Sequence, residues 1–394
     1  MTSKVHRLLT SKQVMATPRD NIFKALRHEV PDWIPVAGHV DPYNQPNRKG
    51  MDPKLADALG TVQWSDESTV AFSRYLGLDV MDYHTAPIRS VRKTVPFASV
   101  QQGEDTITTC HTPLGDMRQV HRRCREDGTS YCLEHYVKGP RDLPLLARVF
   151  EDEQFELDPA VAQRISKRKA QIGDDGTLML FMSGTPMGMM ARVYSGVETL
   201  AYLWADAPDA LRDLFEVMER NHLDAFRLAA TSEADALVGM DDTSTTVISP
   251  RMFGEVCLAY TDHIAEAAHE AGKFYLHHSC GLIRNLLPLY RQTKMEAVHA
   301  FQIPPMGDVT IAEGKRLLGP RVTIIASLVQ MCGSLADRAA VERSIRQMFE
   351  DACPGDNVIL GVAADPEKTM EETAFVVASC MKYRDLALTA SAAK

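Results

Sequence analysis

Short, almost continuously apolar segments recur along this sequence and alternate with longer segments of helical periodicity. Apolar runs without polar alternation are typical of parallel strands that are buried on both faces. Eight such runs occur between residues 33 and 363, at 33–38, 78–83, 178–184, 234–240, 273–278, 297–302, 322–328 and 357–363. The pattern predicts helices at 198–230, 250–271, 281–293, 308–318 and 336–352. This alternation predicts an α/β fold, a (β/α)8 TIM barrel rather than an open sheet.

Residues 88–137 depart from this alternation. Their period-two pattern, interrupted by Gly and Asp turns, predicts a β-hairpin insertion after the second strand. The segment before about residue 25 is predicted to be an N-terminal helical arm packed outside the barrel. Because no linker rich in Gly, Ser and Pro divides the chain, we expect one domain over residues 1–394.

Composition excludes several classes of function. The chain has 394 residues, of which 45% are hydrophobic and 24% charged, as in soluble globular proteins. A formal net charge of −9 argues against a nucleic-acid partner. No apolar run approaches the ~18 residues of a membrane span, and the first residues lack an apolar signal core. We therefore expect a cytoplasmic protein whose eight cysteines are free thiols.

The segment "HHSC" contains the most specific candidate site. His278 and Cys280 are one residue apart at a strand end, where the active sites of TIM barrels lie. In extended chain their side chains point the same way, and zinc takes nitrogen and sulfur ligands. A third ligand is not evident from the segment, and the alternative is that both residues only close a buried strand.

Other polar residues at strand ends are weaker candidates. Asp241 and Asp242 are candidate catalytic residues that bind substrate or act as a general base, unless they cap a turn. His39 is a catalytic candidate at the end of the first strand, with a structural histidine as the alternative. The candidate substrate-binding residues are Asp82, His84, Met187, Gln302 and Gln330. Apolar, methionine-rich strand ends favour a small, largely apolar substrate.

Seven segments, taken in order, resemble the uroporphyrinogen decarboxylase superfamily over nearly the whole chain. They are "TPRDNIFKALRHEVPDWIPV" (17–36), "YLGLD" (75–79), "TPLGDM" (112–117), "VKGPRDLPLL" (137–146), "ADALVGMDD…ISPRMFGEV" (234–256), "AGKFYLHHSCG" (271–281) and "PPMGDVTIAEGKRLLGPRV" (304–322). The resemblance implies a TIM barrel and one of two activities.

The first implied activity is metal-free decarboxylation of a uroporphyrinogen-like substrate. That branch uses arginines directly after the first strand and an aspartate near the second, for which Asp79 and Asp82 are both candidates. Here "GHVDPYNQPN" follows the first strand, and Arg48 is the first arginine after it. Burying eight substrate carboxylates without such arginines is costly, which weakens this interpretation.

The second implied activity is that of the cobamide-dependent methyltransferases. They move methyl groups between a separate corrinoid protein and a thiol, methoxyaromatic, methyl thioether, methylamine or methyl halide. Their zinc motif is His-x-Cys, matched by His278 and Cys280, followed by a cysteine at the end of the last strand. Here Val362, Ala363 and Ala364 occupy that place. The third ligand is then expected among Cys332, Asp365, His299 and Glu296.

This resemblance therefore implies zinc, a corrinoid partner protein and a possible homodimer, with 88–137 as a candidate docking surface. A barrel that only binds a ligand or partner is the remaining alternative.

Overall fold

A closed barrel of eight parallel strands forms the centre of the molecule, in a computed structural model that describes residues 16–39, 66–124, 129–241, 243–327, 337–363 and 370–392. The strand order around the barrel is β1-β14-β13-β12-β11-β10-β9-β2. The strands are β1 (Val36–His39), β2 (Asp79–Thr85), β9 (Gly176–Ser183), β10 (Ala236–Met240), β11 (Phe274–His278), β12 (Ala297–Phe301), β13 (Thr323–Ser327) and β14 (Val358–Ala363). Every apolar run singled out in the sequence overlaps one of these strands, so the predicted barrel is confirmed.

Helices connect the strands and cover the barrel. Those in the described residues are α1 (Pro18–Leu26), α2 (Asp66–Leu76), α3 (Leu143–Asp152), α4 (Pro159–Ile172), α5 (Pro186–Met189), α6 (Gly196–Asp206), α7 (Pro208–Ala230), α8 (Pro250–Met252), α9 (Leu258–Glu270), α10 (Leu287–Tyr290), α11 (Ile311–Leu318), α12 (Arg338–Ala352) and α13 (Met370–Ala392). The helix predicted at 198–230 is two helices, because Pro208 disfavours helical backbone at Ala207. No helix in these ranges is long and apolar enough to cross a membrane.

The barrel lumen is filled by one small apolar cluster. Alternate strand residues such as Met81, Met179 and Leu276 contribute to it, as the period-two geometry of strands requires. Ile22, Ala25 and Leu26 of α1 complete the cluster, and the Thr323 hydroxyl donates to the Ala25 carbonyl at 2.6 Å. The helix predicted outside the barrel therefore closes the amino end of the lumen, and the opposite end is left for function.

The insertion after β2 is larger than the predicted hairpin. Four antiparallel strands form one sheet: β4 (Phe97–Gln102), β5 (Asp105–Thr112), β6 (Gly115–Arg123) and β7 (Ser130–Glu134). A further pair, β3 (Ile88–Arg92) and β8 (Glu153–Leu157), joins that sheet region to the barrel. The sequence signal was correct in type, but β8 lies beyond the predicted 88–137 boundary.

Two π-helical turns follow strands at the carboxyl end of the barrel. Met190–Tyr194 continues the short α5 after β9, and Phe253–Cys257 continues the short α8 after β10. Such wide turns are rare and are often found at functional sites.

Candidate functional site

The two histidines of "HHSC" face opposite sides of β11. His278 lies on the lumen side, where its Nδ1 is 2.9 Å from Nδ1 of His299 on β12. The strands bring these residues together because His278 and His299 are direct partners in the parallel register. Pairing of neighbouring strands thus places two imidazoles side by side at the carboxyl end of the lumen.

Tyr83 extends this pair into a chain of three groups. Its hydroxyl lies 2.8 Å from Nε2 of His299 and 2.8 Å from Sδ of Met81. The Tyr83 ring stacks on Phe181 of β9, with ring centroids 5.0 Å apart and planes 7° from parallel. We call His278, His299 and Tyr83 the histidine chain.

Burial keeps the histidine chain neutral. Desolvation lowers the pKa of His278 to about 4, with smaller contributions from His277 and from the Arg192 charge. Desolvation, and then His278, lower the pKa of His299 well below its ordinary value. Burial also raises the pKa of the Tyr83 phenol well above its ordinary value. Near pH 7 the chain therefore holds two neutral imidazoles and a protonated phenol.

Two proton arrangements satisfy these contacts. If Tyr83 donates to His299 Nε2, the proton on His299 Nδ1 is donated to His278 Nδ1, and His278 carries its proton on Nε2. If Tyr83 instead donates to Met81 Sδ, His299 Nε2 donates to the phenol oxygen and accepts at Nδ1 from His278 Nδ1. The second arrangement leaves a lone pair on His278 Nε2. The chain can thus present either a donor or an acceptor at that atom.

His277 belongs to a separate network behind the barrel wall. Its Nε2 lies 3.1 Å from Thr243 Oγ1, which is also bonded to Ser279 Oγ at 3.0 Å and to the Tyr290 hydroxyl at 2.8 Å. Burial lowers the pKa of His277 to about 3. Its Nδ1 is buried without a hydrogen-bond partner among the residues described. This network ties the loop after β11 to the outer layer of the barrel.

The donor chemistry of the His278 side suits zinc in part. Neutral imidazole and cysteine sulfur are zinc ligands, and Cys280 is half-buried two residues after His278. Within the described ranges, no group of three His, Cys, Asp or Glu residues is arranged to hold a metal ion.

Of the candidates for a third ligand, Cys332 and Asp365 lie outside those ranges. Glu296 is at the amino end of β12, bonded to His269 and to the Tyr275 amide. His299 lies beside His278, but its two nitrogens are bonded to His278 and to Tyr83, so in this arrangement it has no nitrogen left for a metal.

The predicted catalytic residues have different surroundings. Asp241 is buried and accepts a hydrogen bond from the Thr185 amide at 2.9 Å. Gly188 is required beside it, because a Cβ there would lie 1.6 Å from Asp241 Oδ1. Asp241 therefore fixes the turn into α5. Asp242 lies outside the described residues, and His39 is the last residue of β1 with a side chain that is likewise not described.

The structure does not bring the predicted substrate-binding residues together. Asp82 makes a buried two-bond ion pair with Arg168 of α4, on the outer side of β2. His84 bonds the Thr85 carbonyl, and Met187 is fully buried in the outer apolar core. Gln302 accepts from the Gly281 amide at 2.9 Å and so holds the loop that contains Cys280. Gln330 lies outside the described residues.

Tyr83, Phe181 and Arg192 were not predicted from the sequence. The candidates chosen in β2, Asp82 and His84, lie on the face opposite Tyr83. Arg192, in the first π-helical turn, donates to the Met240 carbonyl at 3.2 Å and contributes to the low pKa of His278. Tyr83 could have been found from the sequence, because residues two apart in a strand face the same side and Met81 faces the lumen.

Comparison with known proteins supports the same fold. The family model described as "Uroporphyrinogen decarboxylase (URO-D)" matches residues 125–383. No curated protein matches the sequence significantly. A solved methyltransferase from Methanosarcina mazei is 15% identical, with a TM-score of 0.60 over 93% of this chain and 99% of that one. A xyloglucan-specific β-1,4-glucanase from a ruminal metagenomic library is 8% identical, with a TM-score of 0.43 over 89% of this chain and 95% of that one. At 15% identity the methyltransferase structure bears on the fold alone.

Proposed function

This chain belongs to the uroporphyrinogen decarboxylase family, and from that premise we propose that it is a methyltransferase working with a separate corrinoid protein. It would move a methyl group between the corrinoid and a small methylated molecule or thiol. The observation that carries the proposal is the neutral histidine chain at the carboxyl end of the lumen, with Cys280 two residues after His278. Neutral imidazoles are suited to holding a metal, and they are poor partners for eight carboxylates.

The residues that would hold the metal are His278 and Cys280, with Cys332 or Asp365 as the third ligand, because both nitrogens of His299 are already bonded, one to His278 and one to Tyr83. When bound, zinc supplies Lewis-acid polarisation of the heteroatom that gains or loses the methyl group. Every other contribution comes from the chain itself. Gln302 holds the Gly281 amide and therefore fixes the loop that positions the Cys280 thiol.

His299 and Tyr83 would position His278. A histidine that binds a metal through one nitrogen usually has its other nitrogen fixed by a hydrogen bond. His278 Nδ1 donates this bond to His299 Nδ1, and the Tyr83 oxygen, which accepts from His299 Nε2, fixes His299 in turn. The arrangement with Tyr83 donating to Met81 Sδ leaves the lone pair on His278 Nε2 that a ligand role needs. The stacked Tyr83 and Phe181 rings would also limit water at this end of the lumen.

The substrate we propose is small and largely apolar, such as a methoxyaromatic or a methyl thioether. Phe181 and Tyr83 give the lumen end an aromatic wall, and Arg168 is already paired with Asp82.

For the corrinoid protein, the proposed docking surface is the face of the β4–β7 sheet that carries Val100 and Tyr131, both of which are exposed large apolar side chains. Exposed apolar side chains of this kind are used in interaction surfaces.

Methyl transfer can be tested directly with free cob(I)alamin in place of the corrinoid protein. Purified protein loaded with zinc is mixed anaerobically with 2-methoxyphenol, dimethyl sulfide, methylamine or chloromethane, and methylcobalamin is followed by absorbance. The reverse direction uses methylcobalamin and a thiol. We expect one pair to react, and the reaction to be lost in His278→Ala but kept in His277→Phe.

A parallel reaction with uroporphyrinogen III and no corrinoid provides the opposing outcome. Release of carbon dioxide there would replace the proposal with decarboxylation. Equal methyl-transfer rates in the wild type and in His278→Ala would also contradict it.

A further inference from the structure

A partly open cavity lies near the histidine chain, with Phe181 among its lining residues. It is a cavity of about 290 Å³ between the carboxyl ends of β2 and β9, the β3–β8 pair, α3 and α7. Its walls include the rings of Phe150, Phe155, Phe181 and Tyr194. Phe181 also stacks on Tyr83 of the histidine chain. No role described above uses this space.

His222 of α7 contributes a hydrogen-bond acceptor to the cavity wall. The Tyr260 hydroxyl donates to the Gly184 carbonyl at 3.1 Å, so its oxygen accepts from Nδ1 of His222 at 2.9 Å. Burial lowers the pKa of His222 to about 4, which leaves the ring neutral near pH 7. A neutral imidazole protonated on Nδ1 has a lone pair on Nε2. No described residue is bonded to that Nε2.

Asn221 ties α7 to two residues of the same wall. Its Nδ2 donates to the Phe150 and Glu153 carbonyls at 3.2 and 3.3 Å. Its Oδ1 is buried and has no hydrogen-bond partner among the described residues. That Oδ1 is closed off from the cavity, so the wall offers His222 Nε2 as an uncharged acceptor, and this favours a ligand that donates a hydrogen bond.

The charged residues of the cavity already balance each other. Arg92 forms an ion pair with Glu153, and the Ser90 hydroxyl donates to the same carboxylate. Arg92 also lies over the Phe97 ring, 4.9 Å from its centroid. An anion or a cation would have to compete with these contacts, so the site favours a neutral ligand.

The shape of the walls selects an aromatic ring. Phe150 meets Tyr194 edge to face at 5.5 Å and His222 at 5.9 Å, and such faces bind a further ring well. The π-helical turn Met190–Tyr194 ends at this tyrosine, which places its ring in the wall. A volume of about 290 Å³ is at the lower end for ligand pockets, which suits a molecule with one ring.

We propose that this cavity is a binding site for a neutral single-ring phenol, whose hydroxyl donates to Nε2 of His222. The inference does not depend on methyl transfer, because it rests on the cavity and the His222 acceptor alone.

The test uses catechol as the probe and 1,2-dimethoxybenzene, which has the same ring but no donor, as its matched control. Calorimetric titration is expected to give binding of catechol at least 10-fold tighter than that of the control. Methyl NMR of the wild-type protein locates the site without any variant. The methyl groups of Ala225 and Ile88, which line the cavity, should shift, and that of Ile325 in the lumen should not.

Variants provide a second, independent readout. Ala225→Phe fills the cavity and should abolish catechol binding, whereas His299→Ala alters the histidine chain and should leave binding unchanged. His222→Phe should weaken catechol binding at least 10-fold, and His222→Gln, which keeps an acceptor, should restore part of it. Equal affinity for the two probes, shifts confined to the lumen, or catechol binding lost in His299→Ala would overturn the proposal.

Discussion

His277 and His278 are consecutive residues of one strand, and burial lowers the pKa of both far below the ordinary histidine value. Their surroundings nevertheless differ completely. His277 faces the hydroxyls of Thr243, Ser279 and Tyr290 behind the barrel wall, and His278 faces His299 in the lumen. The pKa and the residue type therefore do not distinguish a structural histidine from a functional one. The face of the strand does.

The largest expected effect is on catalysis at His278. His278→Ala should lower the rate of methyl transfer by about 10²-fold or more, because even outer-sphere partners of a metal typically contribute about 10–100-fold. The measurement is methylcobalamin formation per folded molecule, with the folded fraction from circular dichroism. The control is His277→Phe, which removes an unpaired Nδ1 along with the bond to Thr243. Matching losses in both variants would erase the contrast between the two histidines.

The converse effect is on stability at His277. His277→Ala leaves a cavity in the outer layer and should lower the free energy of unfolding by about 3 kcal/mol, as deletion of a buried ring does. Urea denaturation measures this loss, and activity per folded molecule should stay within about twofold of wild type. A stability loss in His278→Ala as large as that in His277→Ala would show that both histidines mainly support packing.

One tyrosine hydroxyl can be removed from the histidine chain and one from the His277 network. Tyr83→Phe keeps the stacking on Phe181 but takes the hydroxyl from His299, so the methyl-transfer rate should fall about 10-fold. Tyr290→Phe removes a hydroxyl from the His277 network and should cost about 1 kcal/mol of stability with the rate unchanged. Rates under saturating substrate and urea midpoints are compared for the two variants. An unchanged rate in Tyr83→Phe would remove Tyr83 from the site.

The smallest effect concerns His222 and pH. Its folded-state pKa of about 4 lies below the ordinary 6.5, so the unfolded chain binds a proton that the folded chain does not. The stability cost therefore begins as pH falls through 6.5, amounts to about 1.4 kcal/mol at pH 5.5, and is complete near pH 4. In His222→Phe the drop in unfolding free energy between pH 7.5 and 5.5 should be smaller by that amount. His263→Gln, which changes an exposed histidine on α9, is the comparison, and an identical pH dependence in His222→Phe would refute this pKa.

The barrel was readable from the sequence because its strands are short, apolar and regularly spaced. Each strand is buried on both faces, so the run itself marks the element. Because both faces of each strand are apolar, the sequence does not show which residues face the lumen. In β2 the polar residues Asp82 and His84 were chosen, yet the lumen face carries Met81 and Tyr83.

The histidine chain depends on register between strands that the sequence does not specify. His299 was one of four candidates for a third ligand, and only the pairing of β11 with β12 places it 2.9 Å from His278. The Asp82–Arg168 pair and the cavity beside Phe181 likewise join residues more than 60 positions apart in the chain. Contacts of this kind follow from the closed fold and not from any local pattern.

Zinc content tests the central claim most directly, namely that the lumen face of β11 holds the metal at which the methyl group moves. Wild type, His277→Phe and His278→Ala are purified in zinc-containing buffer, dialysed against metal-free buffer and analysed by mass spectrometry. We expect about one zinc per chain in the wild type and in His277→Phe, and a loss of most of it in His278→Ala. No zinc in the wild type, or equal zinc in His278→Ala, would show that His278 does not bind a metal.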